Sequence, residues 1–283
     1  MIVCKVACLF FILVLCFGAP LLMKQFTKGF HLSRLVSKSP DLDQNFPKHF
    51  LEKEKLVKIL SQSFKYLNRG AQSFVFESQD HKYVLKLFHE NSSPAFFPKW
   101  KKNKPARRTG VEGSLIAYRE ASDETGLLYL HLYPTEKQFP KVKIYDSIGR
   151  VHRLSLDRYF FVIQKKTEPF DKTLFKASLE GDLSVYFRSY FSLLDSRIGK
   201  GIWNEDVSLS SNFGFLGKRA IEIDFGRYVQ RDQFLHPKFQ AKERKRFTQK
   251  LREFIALHLP NELDRFDRDL AQFEESKKST TPA

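Results

Sequence analysis

Two side chains at opposite ends of one short hairpin constrain this chain more than any other feature of it. Phe213 to Leu216 and Arg219 to Ile223 are apolar-leaning runs joined by Gly217-Lys218, the pattern of two short strands and a tight turn. Such a hairpin brings its two ends, Asn212 and Asp224, together in space. An amide oxygen beside a carboxylate suits Mg2+, a hard cation that takes a few oxygens from protein and the rest from phosphate and water. Asp224 also opens Asp224-Phe225-Gly226, which taken alone is equally the signature of a strand-ending turn. Ahead of the hairpin, Gly201-Ile202-Trp203-Asn204-Glu205-Asp206 supplies a further carboxylate.

Asp206, then Asn212, then Asp224-Phe225-Gly226 is the order in which protein kinases present a catalytic carboxylate and two metal-binding side chains. The first half of the chain holds matching strings. Leu67-Asn68-Arg69-Gly70-Ala71-Gln72-Ser73-Phe74-Val75-Phe76 resembles the loop that covers the nucleotide phosphates, and Tyr83-Val84-Leu85-Lys86-Leu87-Phe88 resembles the strand after it, with its lysine. Phe139 to Asp146 looks like the lead into the fourth strand of a kinase small lobe. Tyr159 to Lys166 looks like the fifth strand and the start of the hinge. Leu183 to Ile198 then carries apolar residues at 183, 187, 190, 191, 194 and 198, a helical period, directly before Asp206. These elements, in this order, resemble a small, divergent member of the protein-kinase-like superfamily from about residue 61 to the end.

The resemblance implies an α+β, two-lobed kinase-like fold behind an N-terminal hydrophobic helix. The small lobe, with an antiparallel sheet, would span 61–166, and a reduced, mainly helical large lobe 167–283, with a disordered tail from about 277. ATP and Mg2+ would be its cofactors. Asp206 would orient the acceptor hydroxyl or take its proton, Lys86 would pair with the phosphates, and Asn212 and Asp224 would hold the metal. Gly70, Ser73 and Val75 would close over the nucleotide. The glutamate partner of Lys86 would come from a helix between Thr109 and Gly126 that carries Glu112, Glu120 and Glu124. Glu120 is the choice, because it leaves a workable distance to the next strand; all three also read as solvated helix charges.

Three departures matter. Asn68 and Ser73 replace the outer glycines of the phosphate loop. Asn204-Glu205 stand where the family has His-Arg, and the stretch from Asp206 to Asn212 is one residue longer than the family pattern, so a residue must bulge. A pseudokinase that binds nucleotide, or serves as a protein-interaction scaffold, is therefore the alternative to an ATP-dependent phosphotransferase. A third class is a basic membrane or nucleic-acid adaptor. The short chain after Gly226, without an Ala-Pro-Glu string, points away from a peptide-docking platform and toward sugar, lipid or other small hydroxyl acceptors, with protein not excluded.

Composition sets the outer bounds. Hydrophobic residues at 42% and charged residues at 28% describe a globular chain with a core rather than a disordered one. Val6 to Met23 is uncharged, mostly apolar and just long enough to cross a bilayer, so 1–24 is read as a membrane anchor or a signal segment. Cleavage after Ala19 would meet Pro20 and lacks a small residue at Phe17, and Leu15 before Cys16 is a poor lipidation signal, so an uncleaved anchor is preferred. Lys24, Lys28, Arg34 and Lys38 then place the main body in the cytoplasm; the alternative is export after cleavage.

Cys4, Cys8 and Cys16 all lie in that segment, which leaves the remainder without disulfides or a Cys-x-x-Cys metal site. The net charge of +16 calls for an anionic partner, and its densest run is Lys99 to Arg108, with Trp100 inside it. An anionic membrane surface suits that run, as does a solvated loop; no nucleic-acid-binding signature accompanies it. Residues 25–60 are expected to be juxtamembrane, extended at Asp41 to Pro47 and amphipathic-helical from Phe50 to Phe64. Pro237 to Leu257 and Glu262 to Phe273 read as two helices separated by Pro260.

Overall fold

The computed structural model of the 283-residue chain describes residues 23, 25–37, 51–89 and 110–280. Almost all of the expected anchor at 1–24, the extended stretch Asp41 to Pro47 and the basic run Lys99 to Arg108 lie outside the described residues. Among those described, no helix is long and apolar enough to cross a membrane.

In chain order the first elements are α1 (Lys53–Leu60), β1 (Ser63–Arg69), β2 (Ser73–Ser78), β3 (Tyr83–Phe88), α2 (Gly110–Glu120), α3 (Ser122–Thr125) and β4 (Leu127–His131). There follow β5 (Lys141–Tyr145), β6 (Val151–Ser155), β7 (Phe161–Lys165), β8 (Glu168–Pro169), α4 (Phe170–Glu180) and α5 (Leu183–Gly199). The last are β9 (Ile202–Asn204), α6 (Leu209–Asn212), β10 (Phe213–Leu216), β11 (Arg219–Glu222), β12 (Tyr228–Gln230), α7 (Pro237–His258) and α8 (Leu263–Thr280). The result is a mixed α+β chain in two compact units, Met1–Lys102 with His131–Ile163, and Asn103–Leu130 with Gln164–Ala283.

Helices α2 and α3 and most of β4 belong to the second unit, and steric closeness is the reason. A Cβ added at Gly113 of α2 would lie 2.2 Å from the Phe225 carbonyl oxygen, so only glycine lets this helix approach the Phe225-Gly226 backbone. Lys165 N also donates to the Gly126 carbonyl at 2.9 Å, where Gly126 ends α3 in the left-handed region at φ 63°.

Within the first unit the strands lie in the order β7-β3-β2-β1-β5-β6. The β1–β2, β2–β3 and β5–β6 pairs are antiparallel, but β1 pairs with β5 in parallel, Phe64 opposite Ile144. The sheet is thus mixed rather than antiparallel as expected, because β1 and β5 are joined by a long excursion of chain instead of a hairpin. Phe64, Phe74, Phe76, Leu85, Leu87, Val142, Ile144 and Phe161 are all buried on it. Each such side chain contributes roughly 1.5–3 kcal/mol by leaving water.

Within residues 25–36, expected as a juxtamembrane stretch, Phe30 and Leu35 are buried in this core. The Phe30 ring stands edge-on to Phe74 at 5.1 Å and to Phe76 at 5.4 Å. Val36 donates to the Phe88 carbonyl and accepts from Phe160 N, both at 3.0 Å. Helix α1 stops at Leu60 instead of Phe64, since Phe64 is needed in β1.

The second unit is built around α5. The six apolar positions predicted for it, Leu183, Phe187, Tyr190, Phe191, Leu194 and Ile198, are all buried. They meet Phe170 and Leu174 of α4, Phe213 and Phe215 of β10, Phe247 and Leu251 of α7 and Phe266 of α8 in one aromatic-rich core. Helix α7 starts with Pro237 in its first turn and His236 capping Lys238 N at 3.2 Å. The tail expected from about 277 is helical as far as Thr280, and Lys277 pairs there with Asp195 of α5.

Candidate functional site

In the first unit, four of the predicted nucleotide-binding residues, Gly70, Ser73, Val75 and Lys86, lie along the β1–β2–β3 meander. Gly70 N donates to the Ser73 carbonyl at 2.9 Å, which folds the β1–β2 connection back on itself. Val75 of β2 lies opposite Lys86 of β3 in the ladder, so both project to the same face. Lys86 is half-buried between the fully buried Leu85 and Leu87. His89, just past β3, reaches back to the loop: its amide donates to the Gln72 carbonyl at 2.9 Å, and its Nε2 lies 3.3 Å from the Gly70 carbonyl.

In the second unit the β10–β11 hairpin closes in register, with Phe213 opposite Glu222 and Leu216 opposite Arg219, around a turn with Gly217 at φ 58°. Its ends meet as the sequence pattern predicts. The Asn212 carbonyl accepts from Ile223 N at 2.6 Å and from Asp224 N at 3.3 Å. The Asn212 side chain is buried, its Oδ1 accepting from Ser211 Oγ at 2.9 Å and its Nδ2 donating to the Asp206 carbonyl at 3.3 Å. Asp224 is exposed and accepts Gly226 N on Oδ1 at 3.1 Å, while Phe225 is buried behind it. Asp206, Asn212 and Asp224 are therefore gathered by one loop and one hairpin.

Between Asp206 and Asn212 the chain makes a single helical turn, α6. Asp206 Oδ1 accepts both the Ser208 amide at 3.1 Å and the Ser208 hydroxyl at 2.7 Å, a local Asx-type turn that starts it. Partial burial works against the charged form of Asp206. The Ser208 hydroxyl and amide, the nearby Arg227 charge and Asn212 outweigh that cost and hold the carboxyl below its ordinary range.

Glu120 lies exposed in the last turn of α2. Glu124 is the buried one of the three candidate glutamates, held by Ser196 and by Lys200 at 2.5 Å within this unit. It serves the packing of α3 on α5. Glu112 is exposed on α2.

The residues that sequence reasoning missed are those behind the Asp206 loop. Arg197, Asn204, Glu222 and Glu243 are all essentially buried. Arg197 Nη1 donates to Glu243 Oε1 at 2.8 Å and its Nε lies 2.9 Å from Glu222 Oε2. Tyr228 OH donates to Glu222 Oε2 at 2.7 Å, and the Arg197 guanidinium sits 4.8 Å over the Phe247 ring. Burial, with Glu243 close by, pushes the Glu222 carboxyl up against the pull of Arg197, Asn204 and Tyr228. Asn204 ties this cluster to the loop.

The Asn212 amide oxygen and the Asp224 carboxylate are both hard oxygens of the kind that Mg2+ accepts. Among the described residues no group of three or more His, Cys, Asp or Glu side chains is arranged to hold a metal ion.

No protein-family model and no curated protein matches the chain. Among solved structures it is similar to the co-crystal structure of WbdD and the kinase inhibitor LY294002, with a TM-score of 0.40 and 16% identity. That match covers 77% of this chain and 46% of the WbdD chain, so the chain corresponds to about half of that protein's length.

Proposed function

We propose that the chain is a kinase-like phosphotransferase that binds ATP with Mg2+ and transfers the γ-phosphoryl group to a hydroxyl acceptor. The observation that supports this is the gathering of Asp206, Asn212 and Asp224 by one loop and one hairpin, in the order in which the kinase-like superfamily uses them. Asp206 would accept or orient the hydroxyl proton; as an aspartate it is ionised at neutral pH, and its lowered pKa favours orienting the hydroxyl over strong basicity. Asn212 and Asp224 would hold the cation. Bound Mg2+ would supply neutralisation of phosphate charge, and most of the rate would come from positioning. Gly70, Ser73, Val75 and Lys86 would bind the nucleotide, with Glu120 as the chosen helix partner. Residues 1–24 would tether the domain, with the basic run Lys99 to Arg108 against an anionic membrane surface, and the acceptor would be a small molecule, sugar, lipid or protein.

The test is calorimetry of ATP on the full chain, with and without Mg2+, followed by turnover. Asp224→Ala should abolish Mg2+-dependent binding, and Asp206→Ala should spare binding but stop turnover. Turnover retained in both variants would remove these assignments. One observation favours a nucleotide-binding pseudokinase instead: Asp206 Oδ1 is already engaged twice by Ser208. Metal-dependent binding with no turnover in the unaltered chain, across acceptor classes, would select it.

A further inference from the structure

The Asn204 side chain touches both the buried charge cluster and the loop that carries Asp206. Its Nδ2 donates to Glu222 Oε1 at 2.7 Å, and its Oδ1 accepts the Asp206 amide at 2.9 Å. Its backbone is fixed as firmly. Asn204 N donates to Glu243 Oε1 at 2.9 Å, and its carbonyl accepts Arg246 Nη1 at 3.2 Å. The orientation of an amide is normally ambiguous, because its oxygen and nitrogen can exchange places. Here it is dictated, since Glu222 Oε1 can only accept and the Asp206 amide can only donate.

Glu222 is in turn held by Tyr228 OH at 2.7 Å and by Arg197 at 2.9 Å, and Arg197 also donates to the Ile202 carbonyl at 3.0 Å. All of these groups are essentially buried, so an error in placing any of them leaves a polar atom without water to replace its partner. Beyond Asn204 the chain turns outward, and the Asp206 carboxylate is half-exposed, where a reacting group can reach it.

We propose that Asn204 is a positioning residue: clamped by Glu222, its amide oxygen fixes the Asp206 backbone and so aims the Asp206 carboxylate. The consequence for turnover rests on the phosphotransfer function proposed above; the clamp itself does not. Asn204→Asp keeps the acceptor for the Asp206 amide but sets a carboxylate against Glu222, whereas the double variant Asn204→Asp with Glu222→Gln restores a donor facing an acceptor with its direction reversed.

The experiment has two readouts on the full chain. The first is hydrogen exchange at the Asp206 amide, which needs no nucleotide. Asn204→Ala should speed it by about tenfold or more, as expected when a buried acceptor is lost, while exchange in the α7 core is unchanged. The second is turnover at saturating Mg2+ and ATP. Asn204→Ala and Asn204→Asp should lower it by about ten- to hundredfold with nucleotide affinity within about twofold, and the double variant should recover part of the loss. Unchanged Asp206 exchange in a folded Asn204→Ala protein overturns the proposal, as does a turnover loss in Asn204→Ala matched by an equal loss of nucleotide affinity. If the unaltered chain binds no ATP, the phosphotransfer function falls, and the exchange result alone decides whether Asn204 positions the loop.

Discussion

The loop from Asn204 to Asn212 and the loop from Gly70 to Ser73 would carry the two halves of the proposed chemistry, and they are built in opposite ways. The first is fastened at both ends by buried side chains, Asn204 on Glu222 and Asn212 on the Asp206 carbonyl. The second is exposed at Gly70 and Ala71, and backbone bonds fasten it, Gly70 N to the Ser73 carbonyl and His89 N to the Gln72 carbonyl. A carboxylate that must meet a reacting hydroxyl loses rate with every small misplacement, so a fixed mounting suits it. A loop that must admit and release a nucleotide suits a looser one. Stability and chemistry should therefore separate by region when each is perturbed.

The largest effect is expected where the fixed loop is mounted. Arg197→Leu leaves Glu222 and Glu243 buried without their shared cation, and breaking such a cluster costs about 3–5 kcal/mol. Denaturant unfolding should show a much lower midpoint. A loss below about 1 kcal/mol would mean that Tyr228, Asn204 and Arg246 suffice to satisfy the two carboxylates, and the contrast between the loops would weaken.

Next comes Gly113→Ala. The added Cβ would meet the Phe225 carbonyl at 2.2 Å and Gly226 C at 2.7 Å, both backbone, so α2 or the Asp224-Phe225-Gly226 segment must shift. Overpacking of this kind costs about 1–3 kcal/mol. Because the shift falls beside Asp224, Mg2+-dependent ATP affinity should drop together with the melting temperature. Alanine tolerated in both measurements would show that the segment has room that its close packing hides.

Ser208→Ala sharpens the comparison through pH. The Asp206 carboxyl titrates below its ordinary range in the folded chain, so its stabilising contribution is complete above the unfolded carboxylate pKa. That contribution is lost as pH falls through the lowered folded value. Removing the Ser208 hydroxyl should move the Asp206 titration back up, measured by carboxyl NMR, and acid unfolding should begin at a higher pH. At neutral pH the cost should be about 1 kcal/mol or less. An unmoved titration would mean that the residue-208 amide, Arg227 and Asn212 suffice to hold the charge.

How much of this is legible in the sequence follows from which signals are local. The β10–β11 hairpin is, because its turn residues and apolar runs are contiguous; so is α5, whose period of 3.6 survives without exception at 183, 187, 190, 191, 194 and 198. The docking of residues 25–36 is not, since nothing nearby says that Phe30 will stand on Phe74 and Phe76. The parallel β1–β5 pair is a long-range pairing with no turn to announce it. The buried cluster left a faint signal. Arg197 sits on the apolar line of α5 beside Leu194 and Ile198, and Glu243 stands one turn before Phe247, Leu251 and Ile255 on α7. A charge on each of two buried faces asks for a partner on the other, but choosing that partner, and finding Asn204 between them, takes the fold.

The smallest effect on stability is expected at Gly70, and for that reason it is the most telling about the looser loop. A Cβ at Gly70 would find nothing nearer than the Ser73 carbonyl at 3.7 Å, and Gly70 is not among the residues with positive φ. Gly70→Ala should therefore change the unfolding free energy by less than about 0.5 kcal/mol. If the loop closes over phosphates, the same methyl group would intrude where the backbone must approach them, and Mg2+-ATP affinity should fall while the melting temperature holds. Affinity and stability falling together would place Gly70 with Gly113, as a packing glycine. Affinity unchanged would leave the loop with no part in binding the nucleotide and shift that burden to Lys86 and the second unit.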